Sequence, residues 1–294
     1  MPTMRTHIIK VAVLLTGAVL MLSACSTNRY ASTNRIYKKQ LKTLTEQMQQ
    51  PLPYATPRLI TTYDTSGVVI VSEDPRAGKQ TQWVGAIHFN LRKPNYVVIH
   101  HTAQDSLQQT LRTFTVPHSQ VSAHYVIGRD GEVYQLLNDY VRGWHAGVGK
   151  WGSVTDLNSV SLGIELDNNG SEPFSEAQIY SLLNVLDTLK RKYNIPTANF
   201  IGHSDIAPNR KVDPSALFPW KRLAENGFGY WPGDSLAVPP EHFNPMDALR
   251  IIGYDTSNPE AAIQAFKLHY IQHEVNAVLT EDDICVLYDL YLKY

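Results

Sequence analysis

Two apolar runs that each end on a histidine constrain this chain more than any other feature. Tyr96-Val97-Val98-Ile99 follows Pro94-Asn95 and delivers His100, and Asn199 to Gly202 delivers His203. Runs this short, apolar and bounded by turn residues read as buried strands. Between them Ile179, Leu182, Leu183, Leu186 and Leu189 keep helical spacing behind Ser175 and Gln178, which form a capping-box pair. Lys190-Arg191-Lys192 suits the negative end of that helix, and Pro196 stops it. Strands and helices interleaved in this way predict an α/β domain. Two strand ends that both deliver histidine predict a site there.

Other elements fit the same order. Asp105 with Gln108 predicts the cap of a helix reaching about Phe114. Ala123 to Ile127 and Glu132 to Leu136 flank Gly128-Arg129-Asp130-Gly131, whose Asp-Gly step favours a hairpin turn. In Ser161-Leu162-Gly163-Ile164-Glu165-Leu166 the apolar residues alternate, so Glu165 points away from Leu162, Ile164 and Leu166.

The 294 residues, 43% of them apolar, suffice for one medium domain and a small one. Basic and acidic residues number 26 and 27, and losing Arg5 and Lys10 with a leader leaves 24 against 27, a net charge of −3. That balance argues against nucleic-acid binding. Cys25 and Cys285 are the only cysteines, too few for a disulfide framework or a Cys-rich metal cluster. Any metal is therefore expected on His and carboxylate.

Arg5, His7 and Lys10, the apolar run Val11 to Leu22, and small residues after it make a secretory leader, too short to span a membrane comfortably. Leu22-Ser23-Ala24-Cys25 resembles the lipobox of bacterial lipoproteins, which implies cleavage after residue 24 and lipidation of Cys25. Ser26 stands where an inner-membrane retention signal would place Asp, so the implied address is the outer membrane, facing the periplasm. Residues 25–67 are expected to be the lipidated N-terminus and a tether, because the chain from Ser26 to about Pro57 is polar and punctuated by Pro51, Pro53 and Pro57. Ile36, Leu41, Leu44 and Met48 could line one side of a short helix within it. A catalytic domain over 68–236 and a helical domain over 242–294 follow.

The densest chemistry lies in Gly202-His203-Ser204-Asp205-Ile206-Ala207-Pro208-Asn209-Arg210-Lys211-Val212-Asp213-Pro214 and in Val98-Ile99-His100-His101-Thr102-Ala103. Together with Val121 to Ile127 and Gly163-Ile164-Glu165-Leu166, these blocks resemble the zinc-dependent N-acetylmuramoyl-L-alanine amidase family. The resemblance spans roughly Gln82 to Trp231. It implies the α/β fold that such amidases share with peptidoglycan recognition proteins and a phage lysozyme, a mixed central sheet flanked by helices, and a peptidoglycan or muropeptide substrate cut between N-acetylmuramic acid and L-alanine.

Carried over residue by residue, the family's zinc ligands fall on His100, His203 and Asp213, a two-imidazole, one-carboxylate set that leaves a fourth position open. Glu165 matches the catalytic glutamate that moves a proton, and Lys211 the cation near a developing oxyanion. Arg210, beside it, is either a substrate contact or a backbone support. His124 and His145 are each either a substrate contact or a satisfied structural histidine. His101 is expected to be structural or at the rim, since pleating turns it away from His100. The lysozyme-like relatives carry a catalytic tyrosine where this chain has Ala123, which shifts the base role toward Glu165.

Beyond Pro239-Pro240, three helices are expected: Met246 to Ile252, one capped by Asn258-Pro259 that presents Ile263, Phe266 and Tyr270, and one capped by Thr280 and Asp283. Their order resembles the small peptidoglycan-binding module appended to such amidases, and the alternative is a helical cap on the catalytic domain. A non-catalytic peptidoglycan receptor would be expected to lose a metal ligand, and this chain keeps all three. An endopeptidase would use similar zinc chemistry on a peptide bond. No segment marks an obligate protein partner.

Overall fold

The computed structural model describes residues 29–49, 59–73, 86, 88 and 90–294. The leader and Cys25 lie outside the described residues. The chain divides into two compact units, 1–89 and 90–294.

In the first unit Ala31–Met48 is a helix in which Ile36, Leu41, Leu44 and Met48 are all exposed. Leu59–Tyr63 (β1) and Val69–Glu73 (β2) pair antiparallel around a turn held by Asp64, whose carboxylate accepts Ser66 N–H and Val68 N–H. The division expected between residues 67 and 68 falls inside that turn. Val69 therefore opens the second strand of this hairpin.

The second unit carries a five-stranded sheet. Its strands are Tyr96–His101 (β3), Tyr125–Ile127 (β4), Val133–Gln135 (β5), Ser161–Leu166 (β6) and Phe200–Gly202 (β7), in the order β5-β4-β6-β3-β7. β4, β6, β3 and β7 run parallel and β5 antiparallel to β4, giving the mixed sheet that the family resemblance implies. The helix Leu107–Thr113 is capped by Ser106 rather than Asp105, because Ser106 is extended and its hydroxyl takes Gln109 N–H. Helix Glu176–Tyr193 begins at Ser175 as expected. Gln178 does not close the capping box; its amide instead donates to Ile127 O and Asp167 O and ties the helix to β4 and to the residue after β6.

Alternation sorts the sheet into two cores. Val97, Ile99, Leu162, Ile164 and Leu166 pack against Ile179, Leu182, Leu186 and Leu189 on one face. Val98 and Ile201 face the other way and pack with Ile206, Ala207 and the C-terminal helices Pro245–Ile252, Pro259–Phe266 and Glu281–Tyr291 through Leu249, Ile252, Phe266, Leu287 and Leu290. The middle helix continues through a wider turn, Lys267–Ile271. These helices therefore bury a face of the sheet and belong to the same compact unit.

Candidate metal centre and active site

The period of two that places Val98 on the face shared with the C-terminal helices also sends His100 there, at the carboxyl end of β3. β7 ends beside it, and the chain turns at Gly202 into the short helix His203–Ile206. The loop that follows returns Asp213 to the helix start, where Ser204 N–H donates to Asp213 O at 2.8 Å. His100, His203 and Asp213 are buried, and their ligating atoms converge. His100 Nδ1 and His203 Nδ1 are 2.9 Å apart, and Asp213 Oδ2 lies 3.1 and 3.0 Å from them. Zinc bonds of about 2.0–2.2 Å in tetrahedral array set ligand atoms about 3.3–3.5 Å apart, so this triangle fits such an ion after opening by a few tenths of an ångström.

The outward nitrogens fix the tautomers. His203 Nε2 donates to Ala146 O at 3.1 Å, leaving the Nδ1 lone pair for a metal. His100 Nε2 lies 3.2 Å from His145 Nδ1, and His145 Nε2 3.3 Å from Ser161 Oγ, whose proton goes to Leu157 O. Only one assignment satisfies that chain: Ser161 accepts from His145 Nε2–H, and His145 Nδ1 accepts from His100 Nε2–H. His100 Nδ1 is then bare of a proton and faces the triangle. Burial, reinforced by the charge of His203, lowers the His100 imidazole to about 4. Burial and the neighbouring histidines lower His145 well below its ordinary value. Burial alone would raise the Asp213 carboxyl, but the two histidine rings that face it outweigh burial and hold it well below the usual carboxylate range. Two neutral imidazoles and a carboxylate suit a divalent cation.

Glu165 is the registered partner of His100 on β6, and it points away from the apolar set as its alternation predicts. Burial, with the charge of Asp213 adding to it and Lys211 opposing, pushes its carboxyl up to about 8. Lys211 is half-buried, its backbone N–H held by Ala207 O, and its charge reaches both Glu165 and His100.

The remaining candidates divide. His124 is wholly buried, donates from Nε2 to Val141 O and accepts Gly163 N–H on Nδ1, so both nitrogens are spent on backbone and no edge is left for substrate. His145 is buried behind His100 and serves it. Arg210 donates to Ala146 O and Val148 O and holds the 146–148 loop against the centre. Pleating turns His101 away, where Nδ1 accepts Ser215 N–H. Ser161 and Asn158 join the site with no sequence signal of their own. Asn158 Oδ1 accepts the N–H groups of His145 and Ala146 and so anchors that loop, but nothing local marks it for the task.

A model of the N-acetylmuramoyl-L-alanine amidase family matches residues 90–216. The chain is 34% identical over 206 residues to the N-acetylmuramoyl-L-alanine amidase AmiD of Escherichia coli K12, covering 59% of this chain and 74% of that one. It is 38% identical over 104 residues to the 1,6-anhydro-N-acetylmuramyl-L-alanine amidase AmpD of Haemophilus influenzae, covering 35% and 56% of the two. Among solved structures, the complex of E. coli AmiD with anhydro-N-acetylmuramic acid-L-Ala-D-gamma-Glu-L-Lys superposes with a TM-score of 0.62 at 28% identity, over 79% of this chain and 97% of that one. AMPDH3 of Pseudomonas aeruginosa gives 0.63 at 26% identity, over 76% and 99%.

Proposed function

This chain belongs to the N-acetylmuramoyl-L-alanine amidase family, and from that premise we propose that it works as a zinc hydrolase whose ion is held by His100, His203 and Asp213. It is an amidase of peptidoglycan or its muropeptide fragments, acting on the amide between N-acetylmuramic acid and L-alanine. The observation that carries the zinc reading is the convergence of three buried ligand atoms to within 3.1 Å of one another, each imidazole already carrying its proton on the outward nitrogen.

When bound, zinc supplies Lewis acidity toward water and toward the scissile carbonyl. Glu165 takes the proton of the attacking water on its carboxylate and passes it to the departing nitrogen. The water oxygen bonds to the lactyl carbonyl carbon, the carbon–nitrogen bond breaks, and the products are a lactyl carboxylate and the free amine of L-alanine. Lys211 balances the negative charge that gathers on the carbonyl oxygen, a role worth most where that charge is largest. His145 and Arg210 orient His100 and the 146–148 loop.

Cys25 carries lipid, and the chain is held at the outer membrane facing the periplasm, with the leader sequence as support. Product identification tests the bond that is cut. The zinc-loaded chain incubated with the anhydromuramyl tripeptide should give, by mass and amine analysis, a new lactyl carboxylate and a free L-alanine amino terminus. Release of a shortened peptide with the muramyl–alanine amide intact would instead make it an endopeptidase.

A further inference from the structure

Two residues beyond His203, the carboxylate of Asp205 is wholly buried and accepts three hydrogen bonds from three parts of the chain. Gly202 N–H donates to Oδ2 at 2.6 Å, His269 Nδ1–H to the same oxygen at 2.8 Å, and the Tyr254 hydroxyl to Oδ1 at 2.8 Å. Gly202 is the peptide that leads directly into His203. The other two donors come from the C-terminal segment: Tyr254 follows the helix Pro245–Ile252, and His269 sits in the turn Lys267–Ile271.

Neither donor is free to leave. The His269 ring is stacked on Trp220 at 3.8 Å between centroids and on Tyr270 at 4.0 Å. Tyr254 is edge-on to Trp151 at 5.0 Å and buried. The same neighbourhood reaches the third ligand, because a Cβ added at Gly202 would meet Pro214 Cδ at 3.0 Å and Trp220 Cζ2 at 3.2 Å, and Pro214 follows Asp213. A buried carboxylate deprived of a donor has no water to turn to, so it would pull on the donors left to it, and one of these is the backbone of the ligand turn.

We propose that the C-terminal helical segment is part of the support of the metal centre: Tyr254 and His269, acting through Asp205, fix the turn that presents His203. Asp205, Tyr254 and His269 are positioning residues, and none touches substrate. The proposal rests on His100, His203 and Asp213 being metal ligands, and it gives the three helices a role inside the catalytic unit whether or not they also contact glycan.

The test is the zinc affinity of the metal-free full chain, measured by competition with a chromophoric chelator, together with the visible spectrum of its cobalt(II) form. Tyr254→Phe and His269→Phe keep the rings and the stacking but remove one donor each. Tyr270→Phe is the control, because it also loses a buried hydroxyl in the same segment, one that pairs with Tyr294 Oη at 3.3 Å rather than donating to Asp205. The first two variants should bind zinc about 10-fold to 100-fold more weakly, as removal of outer-shell partners does elsewhere, and should shift the cobalt bands. Tyr270→Phe should match the wild type in both. If His269→Phe fails to fold, Tyr254→Phe decides alone. Wild-type zinc affinity in a folded Tyr254→Phe chain, or an equal loss in Tyr270→Phe, would overturn the proposal. A wild-type chain that bound no zinc at all would overturn the metal reading beneath it.

Discussion

His100 and Glu165 are registered partners on neighbouring parallel strands, β3 and β6. Strands in a sheet lie about 4.7–4.9 Å apart and registered side chains share a face, so the sheet itself sets the proton-holding carboxylate beside a metal ligand. Glu165→Gln keeps the volume and loses only the ability to take a proton. Turnover should fall about 10²-fold to 10⁴-fold while zinc content stays at the wild-type level, and the acidic limb of the turnover profile should vanish. Steady-state kinetics beside metal analysis reads both, and near-normal turnover with an unchanged acidic limb would remove Glu165 from the mechanism.

The same carboxyl gives a stability prediction. Burial lifts Glu165 from an ordinary 4.5 to about 8 in the folded chain. Between those values the folded state holds a proton that the unfolded state has released, so this residue's contribution to stability declines as pH rises from about 4.5 to about 8 and then levels off. Glu165→Gln has no such decline. In metal-free protein its advantage over wild type should grow across that window, by a few kcal/mol at most, at about 1.4 kcal/mol for each unit separating the two values. Urea unfolding at several pH values measures it, and a difference that is flat with pH would contradict the raised carboxyl.

Gly163 is needed because the His145 ring lies directly over it. A Cβ there would stand 2.3 Å from His145 Cγ and 2.6 Å from Nδ1, the atom that accepts from His100. Gly163→Ala should displace the ring, lower stability by about 1–3 kcal/mol and weaken zinc binding about 10-fold to 100-fold. His145→Ala should weaken zinc similarly, and the double variant should bind about as His145→Ala does, since the two changes act on one ring. Full additivity in a zinc titration would show that they act separately.

Cys25→Ala should abolish incorporation of labelled fatty acid and release the chain from the membrane fraction. A single acyl chain is only a marginal anchor, so firm retention in the wild type also predicts more than one chain on Cys25. Hydrolysis of soluble muropeptides should be unchanged, because among the described residues those of the centre begin at His100.

What the sequence made readable was local in origin. Strand ends at His100 and His203 follow from apolar runs, the face of Glu165 from alternation, and the caps at Ser175, Asn258 and Thr280 from residue type. What it hid depends on contacts between distant segments. His124 and His145 look equivalent in the chain, and only the packing of both rings around β6 shows one spent on backbone and the other behind His100. Asp205 carries a partial signal, an acid three residues after the turn glycine, but its donors lie 49 and 64 residues away. The helices beyond Pro245 read as a separate module because their caps and periodicity are self-contained, yet their apolar faces complete the core beneath Val98 and Ile201.

On the function proposed above, a single ion on His100, His203 and Asp213 runs the hydrolysis. Metal-free wild type and Asp213→Ala should be titrated with zinc while bound metal and muropeptide cleavage are followed together. Wild-type activity should rise linearly and stop at one equivalent, whereas Asp213→Ala, short of one of three ligands, should neither retain zinc nor regain activity. Cleavage by the metal-free wild type, or an Asp213→Ala chain that holds a full equivalent and cuts at the normal rate, would contradict it.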